Sequence, residues 1–446
     1  MAELDIQEIF QNMTSTLAFK QDWHNKKKEL YDGKHEATTL EIAIPANIEK
    51  KLHSKLGWAG TAVDTLCSDL TFDGFLNDTK GFTRILNDFG GYNAINSAIK
   101  NSMIGACSFV SIIPDDNGNP IFTTYSGSEA TAVWDSREGF VAGLAVNSYD
   151  RKMGMLSVQD YLLFLKGRIL KIKVDGTIVA SVEVPEERLM FVPFIYDQDI
   201  ATNPFGNSRI NAAAEDALDS GLKHMMLIEA GHEVRMAINN IIIAEGTNPQ
   251  DLAKSEQQVD MSSILTIFNS GNGTLKMEQI TGQSTEELQK MLNIIASNFA
   301  TAVKMDATSF GFQPSNGSFS EGTLEVMGKP YKNLVRNSRE VYGESIKQLA
   351  IAAMNLSTGQ YYEEWNTIKP VFLDQVSSDK FAQVADGLGK LAQIDPSVDF
   401  RSYIERNILG KTVREEALNI ELPNFETARN NAKNFRLLKP ENYEVL

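Results

Sequence analysis

A run ending Gly-Lys-Thr is the first place to look for chemistry, because a P-loop holds phosphates on backbone N–H groups and a lysine. Leu409-Gly410-Lys411-Thr412 has that ending. The loop also needs a glycine where Glu405 stands, so phosphate cradling is not expected. Gly271-Asn272-Gly273 opens like a dinucleotide fingerprint, but Lys276 occupies the place of the third glycine. No Gly-x-Ser-x-Gly elbow occurs. His224, Glu229 and His232 share one helical stretch. They would bind a metal only with ligands brought from elsewhere, and ordinary polar positions on a helix face are the plainer reading. Asp115-Asp116-Asn117-Gly118-Asn119 has the composition of a calcium loop without its alternate spacing or distal glutamate, and reads as a turn. A hydrolase would have to rest on scattered carboxylates such as Asp115, Asp116, Glu186 and Glu187. No catalytic, cofactor-binding or metal-ligating set is expected, and the chain does not read as an enzyme.

The elements that carry these residues suggest an α+β chain, mainly helical. Residues 1–105 read as mostly helical, with Gly33 ending the first helix, Pro45 opening a new segment and Lys26-Lys27-Lys28 a solvated face. Ala62, Val63, Leu66, Cys67 and Leu70 fall at helical spacing, and a further helix is expected over Phe82–Met103. Residues 106–200 read as strands. Runs at 109–113 and 121–125 flank the Asp115–Asn119 turn, and Asp175-Gly176 joins 170–174 to 178–184 as a hairpin. A long helix spans 207–236, with Asn207 or Ser208 as its cap. A small unit follows: strand 239–245, helix 249–259, strand 264–269, a turn at 270–273 and strand 275–280. Helix returns over 281–306, with Ser284 and Glu287 as a capping box. Residues 309–321 break the pattern with three Phe among Gly, Ser, Asn and Pro. A very long helix then covers 322–356, which Pro330 should kink. A strand at 368–373 and a helical region from Ser377 to Leu446 complete the chain.

The 446 residues carry 42 Lys+Arg against 58 Asp+Glu, a formal charge of −16, with 42% apolar and 22% charged residues. That composition excludes a disordered or fibrous chain and argues against a protein that grips nucleic acid through a broad basic surface. The acidic excess is local. Residues 207–300 hold twelve acids and six bases, whereas 322–347 hold Lys329, Lys332, Arg336, Arg339 and Lys347 against Glu325, Glu340 and Glu344. The second group reads equally as a solvated helix face paired at i, i+4 or as a contact for phosphate or a neighbouring subunit. The N-terminus lacks a signal peptide's basic start and apolar run, and no stretch is long enough to span a membrane. Cys67 and Cys107 read as free thiols in a reducing compartment, a disulfide between them being the other reading.

Two helices too long for a compact domain thus bracket a small strand-rich unit, and a loop leads on to a third. Such elements bury their apolar stripes well against copies of themselves in a ring. The ordered motifs Leu30-Tyr31-Asp32-Gly33-Lys34-His35, Leu56-Gly57-Trp58-Ala59, Val63-Asp64, Phe72-Asp73-Gly74-Phe75, Val133-Trp134-Asp135, Phe205-Gly206-Asn207-Ser208-Arg209-Ile210 and Ile294–Val303 carry a resemblance. The chain resembles the portal proteins of tailed bacteriophages. The resemblance covers most of the chain; residues 309–321 and the last seventy or so match in type only.

The resemblance implies a wing over 1–206, a first stem helix over 207–236, a clip over 237–283 and a second stem helix over 284–308. It implies a tunnel loop at 309–321, a kinked helix with a strand returning to the wing over 322–376, and a crown over 377–446. It further implies a ring of twelve subunits at one capsid vertex of the virion, assembled in the host cytoplasm. That ring would act with major capsid and scaffolding proteins, dock the terminase large subunit and then the head–tail adaptor, and pass double-stranded DNA. It needs no cofactor and no membrane. On this reading Phe310, Phe312, Gln313, Asn316 and Phe319 line the channel. Lys329, Lys332 and Arg336 face the channel or a neighbouring subunit, and Lys276 and Glu278 contact clip partners. Another oligomeric virion protein, an adaptor or scaffold, is the competing reading, although a simple adaptor has no need of the second long helix.

Overall fold

The structure is a computed structural model. It describes residues 3–36, 54–76, 78–115, 117–152, 155–237, 240–245, 264–269, 275–278, 285–311, 321–373, 413–417, 420 and 422. The chain begins with helix α1 (Glu3–Tyr31), helix α2 (Trp58–Ser68), strand β1 (Phe72–Leu76) and helices α3 (Phe82–Asp88) and α4 (Gly91–Gly105). Strands β2 (Cys107–Pro114), β3 (Pro120–Ser126), β4 (Ala130–Asp135), β5 (Gly139–Lys152), β6 (Met155–Leu165), β7 (Arg168–Lys173), β8 (Ile178–Glu183) and β9 (Phe191–Ile195) follow. Helix α5 (Ala212–Ala237), strands β10 (Asn240–Glu245), β11 (Ile264–Asn269) and β12 (Leu275–Glu278), and helix α6 (Thr285–Ala302) come next. Helix α7 (Glu321–Thr358), strand β13 (Lys369–Phe372) and the short helix α8 (Val413–Ala417) end the described chain. The fold is mixed α+β, in two compact units.

The first unit comprises residues 1–31, 60–211 and 320–446. Its strands form a meander β4-β5-β6-β7-β8 and a sheet β3-β2-β9, both antiparallel. Side chains alternate between the faces of a strand, so each sheet face is a separate set of residues. Ala142, Leu144, Leu163, Leu165, Leu170 and Ile172 form one face of the meander and bury Ile6, Phe10 and Met13 of α1. On the opposite face Phe164 stacks on Phe191, which stacks in turn on Phe109 of β2, with ring centroids 4.8 and 4.9 Å apart. Gly143 lets that stack form, because a Cβ there would overlap the Phe191 ring. The stretch 349–356 near the end of α7 is apolar nearly all round, as a fully buried helix segment must be. Tyr342, Ile346 and Leu349 to Met354 are all buried, and the Tyr342 hydroxyl bonds Ser102 Oγ at 2.7 Å.

Several expectations change here. The expected Phe82–Met103 helix is two helices, broken at Gly90, whose φ of 78° is left-handed. Phe72–Phe75 is a strand rather than part of a helical region, because β13 pairs with it antiparallel. Lys27 is buried rather than solvated, and its ammonium donates to the Ile210 carbonyl. The buried positions of α1 are Ile6, Phe10, Met13, Leu17, His24, Lys27 and Leu30, a three–four stripe on which Lys27 falls. The long helix starts at Ala212, so neither Asn207 nor Ser208 caps it. Ser208 instead donates to the Ile104 carbonyl at 2.7 Å and accepts from the Ile210 N–H. Pro330 lies inside α7, which runs through it as the single long helix expected there. Cys67 and Cys107 are free thiols, and burial pushes Cys107 up to about 11. Ser284, the 249–259 helix, the 270–273 turn and most of 377–446 lie outside the described residues.

The second unit comprises residues 32–59 and 212–319. Three alanines and Glu215 open α5, a strong helix-forming start with an acid where the helix dipole favours it. Helices α5 and α6 pack on each other. Ala214, Ala217, Leu218, Leu222 and Met226 form a buried stripe on the first, and Ile295, Ala296, Phe299 and Ala300 one on the second. Between the two helices in sequence lies a sheet of order β11-β10-β12, with β10 parallel to β11 and antiparallel to β12. A parallel pair cannot be joined by a tight turn, and β10 and β11 are separated by eighteen residues of sequence.

Candidate functional site

Helix α7 carries the most distinctive surface in the first unit. Lys329, Lys332 and Arg336 are exposed along it at i, i+3 and i+7. At about 100° per residue they lie on a stripe roughly 130° round from Tyr331, Ser338 and Tyr342. The latter three face the protein: Ser338 and Tyr342 are buried, and the Tyr331 hydroxyl donates to Asp69 Oδ2 at 2.7 Å. Among the described residues, no carboxylate pairs with Lys329, Lys332 or Arg336.

A groove of about 680 Å³ runs beside the stripe, between α7 and β13, and Arg336, Arg339, Lys347 and Lys369 line it with Glu340 and Glu344. The two basic residues deeper in it are held. Arg339 Nη2 donates to the carbonyls of Asp69 and Leu373, both at 2.9 Å, and Lys347 Nζ lies 2.6 Å from Glu344. Gly343 admits β13 to the helix, since a Cβ would come within 2.8 Å of Pro370 Cγ. This arrangement can hold a polyanion by charge. It offers no nucleophile with an adjacent base.

In the second unit the expected loop residue Phe310 is buried, 8% exposed, and packs against Phe299 and Trp58. It therefore anchors the Ala307–Phe310 turn. Phe312, Gln313, Asn316 and Phe319 lie outside the described residues. Lys276 stands opposite Ile243 and Glu278 opposite Ile241, on the β12 edge of the small sheet. On the outer side of α6, Met291 and Ile294 are 48% and 56% exposed.

Four of the residues first inspected for chemistry are engaged in structure. Asp115 Oδ1 accepts the N–H groups of Asn117 and Asn119, both at 2.8 Å, which closes the β2–β3 hairpin. His224 Nδ1 meets the Ser220 carbonyl at 2.8 Å, and Ser54 donates to Glu229 at 2.5 Å. Glu187 accepts from Asn355. No group of three metal-ligating side chains occurs among the described residues. Glu405, Lys411, Thr412 and Asp116 lie outside them, as does the side chain of His232. No helix among the described residues is long and apolar enough to cross a membrane.

The motif residues gather instead. Tyr31 donates to Asp64 at 2.9 Å, and Lys100 pairs with the same carboxylate at 3.0 Å. Arg209 is buried, with Nε on the Ala62 carbonyl at 2.8 Å and Nη1 on the Tyr196 hydroxyl at 3.0 Å. Gly206 has a φ of 74°, and a Cβ there would overlap the Tyr196 carbonyl. The sequence placed Arg209 in a motif but not its burial, because nothing in its neighbours announces a buried cation.

No protein-family model matches the chain, and no curated protein matches it. Among solved structures, a chain in the virion of a native gene transfer agent particle is similar at 12% identity and a TM-score of 0.46, covering 79% of this chain and 89% of that one. A chain in the neck of the empty particle, computed with C6 symmetry, gives the same values. A chain in the neck of the native particle, computed with C12 symmetry, gives 12% identity and a TM-score of 0.41, covering 82% and 90%. These TM-scores leave the functional reading to rest on the chain's own features.

Proposed function

We propose that the chain is the portal protein of a phage-like particle. About twelve copies form a closed ring at one capsid vertex of the virion. The ring assembles in the host cytoplasm with major capsid and scaffolding proteins. It docks the terminase large subunit and later the head–tail adaptor, and passes double-stranded DNA. It performs no catalysis. The observation that carries this reading is the second unit: two long packed helices bracket a three-stranded sheet and lead through an anchored turn into the long helix α7. The ordered motifs from Tyr31 to Ile210 support it, as does the exposed apolar pair Met291 and Ile294, which a neighbouring copy would cover.

Charge supports a conduit. The acidic 207–300 block weakens any single grip on DNA, so the duplex can slide. The basic stripe on α7 supplies limited contact with phosphate or with a neighbouring subunit. The test is an end-on electron micrograph of the purified protein, with native mass spectrometry across a salt series. Closed rings of about a dozen copies are expected; only monomers and dimers at every salt would refute the proposal. Turnover of a nucleotide or a phosphodiester by the purified protein alone would favour an enzyme instead.

A further inference from the structure

Trp58 belongs to a motif that the proposed function leaves without a task. It is the first residue of α2, 7% exposed, and it packs in the second unit against Phe299 and Phe310, with ring centroids at 5.6 and 6.4 Å. Phe299 and Phe310 meet edge to face at 5.0 Å, which closes a triangle of three rings. The indole rests on bare backbone. A Cβ at Gly221 of α5 would come within 3.1 Å of the Trp58 ring and 2.9 Å of Leu56.

The segment from Phe299 to Gly311 is held by a series of local hydrogen bonds. The Val303 N–H bonds the Phe299 carbonyl and the Met305 N–H the Ala300 carbonyl, which satisfies the end of α6. Lys304 accepts a left-handed φ of 55° to make that turn. Asp306 caps the turn Ala307–Phe310 through the Thr308 N–H at 3.0 Å. Gly311 closes it with a φ of 83° and an N–H on the Thr308 carbonyl. Phe310 is the last buried side chain before the chain enters residues 312–320.

We propose that Trp58 is a positioning residue, which locks the Ala307–Gly311 turn and so fixes where the proposed channel loop begins. The inference rests on the portal reading only for the loop's purpose; the lock itself belongs to the fold. Helices α5 and α6 keep their own buried stripes without Trp58, and Phe299 keeps its edge on Phe310. What is lost is the wall that stops Phe310 from swinging. Removing the indole therefore frees the turn while the helix pair stays packed.

The test uses the full-length chain with a nitroxide on Ser309→Cys, an exposed position in the turn, in a Cys67→Ser background. The line shape should be immobilised in the parent and about twofold more mobile, on the nanosecond scale, in Trp58→Ala. Trp58→Phe should restore most of the immobilisation. Gly221→Ala serves if Trp58→Ala does not fold: alanine suits a helix, while its Cβ pushes the indole off its seat. An unchanged line shape in folded Trp58→Ala or Gly221→Ala overturns the proposal. A line shape freed equally in Trp58→Phe overturns it too. Electron micrographs of the same samples separate the two readings. Rings in the parent with an unchanged line shape in the variants sink the lock alone, and a freed line shape in the variants with no rings in the parent sinks the portal reading alone.

Discussion

Acid should loosen the first unit through His24. The imidazole is 6% exposed, and a Cβ on Gly105 would lie 2.8 Å from its Nδ1, so its seat depends on missing side chains. Nδ1 has no hydrogen-bond partner among the described residues. Burial, and then the nearby charge of Lys20, push its pKa from 6.5 down to about 4. The unfolded chain takes up the proton near pH 6.5, the folded one only near pH 4. Between those values the unfolded state holds more protons, so stability falls as the pH falls. The slope is about 1.4 kcal/mol per pH unit, and over this window the loss comes to about 3 kcal/mol. It is complete below pH 4 and absent above 6.5. Urea unfolding at pH 7.5 to 4 reads it, and Trp23, edge-on to His24 with ring centroids 4.9 Å apart, is a built-in fluorescent reporter. The control is His24→Gln, which pays a fixed cost for its buried amide but does not titrate. Parent and variant should converge by about 3 kcal/mol between pH 6.5 and 4. Parallel curves would refute the reasoning, since carboxylate titrations are common to both.

Gly143→Ala should destabilise the first unit by about 3 kcal/mol or more, because Phe191 is held between Phe109 and Phe164 and cannot swing away; thermal unfolding measures it, and a neutral result would show that the stack yields. Asp78→Ala should cost about 1–2 kcal/mol, since its carboxylate accepts the N–H groups of Lys80, Gly81, Phe82 and Thr83 at the start of α3; Asp78→Asn should recover part of that in the same melt. Charge reversal at Lys329, Lys332 and Arg336 together should weaken double-stranded DNA binding and reduce the salt slope by about 3, the number of phosphate contacts removed; an unchanged slope would assign the stripe to a subunit contact. Deleting Gln313–Phe319 should leave rings intact and impair DNA packaging or retention, whereas unimpaired particles would remove the loop from the channel.

Strands and long helices were legible in the sequence because their signals are local. The Asp175-Gly176 hairpin and the 264–269 strand need only alternation and a turn. The long helices 212–237 and 285–302 need only a sustained apolar period. Partners distant in the chain left no such mark. Phe72–Leu76 has three apolar residues with Asp73 and Gly74 between them and no fixed period, and a strand about 300 residues further on makes it a strand. Gly90 shows its effect only once its left-handed φ is known. Lys27 was within reach, since it falls on the stripe of α1, but lysine is so often solvated that its type outweighed its position. The site divides the same way. The basic stripe of α7 follows from helical spacing alone. Phe310 looked like a loop residue by composition, and its burial depends on Trp58, far upstream.

The pairing of β1 with β13 also sets a timetable for synthesis. Residue 72 must find residue 372, and about 300 further residues must be made before it can. At ~5–20 residues per second that wait is roughly 15–60 s. The second unit is complete once residue 319 has emerged, so it can close while the first still has an open strand edge. During that interval Phe72 and Phe75 have no β13 to cover them, and an unpaired apolar edge is a template for wrong partners. Slow release of nascent chains, or a holdase that covers residues 72–76, should therefore raise the soluble yield. Truncation anywhere before residue 369 should send the product into aggregates, however well its second unit folds.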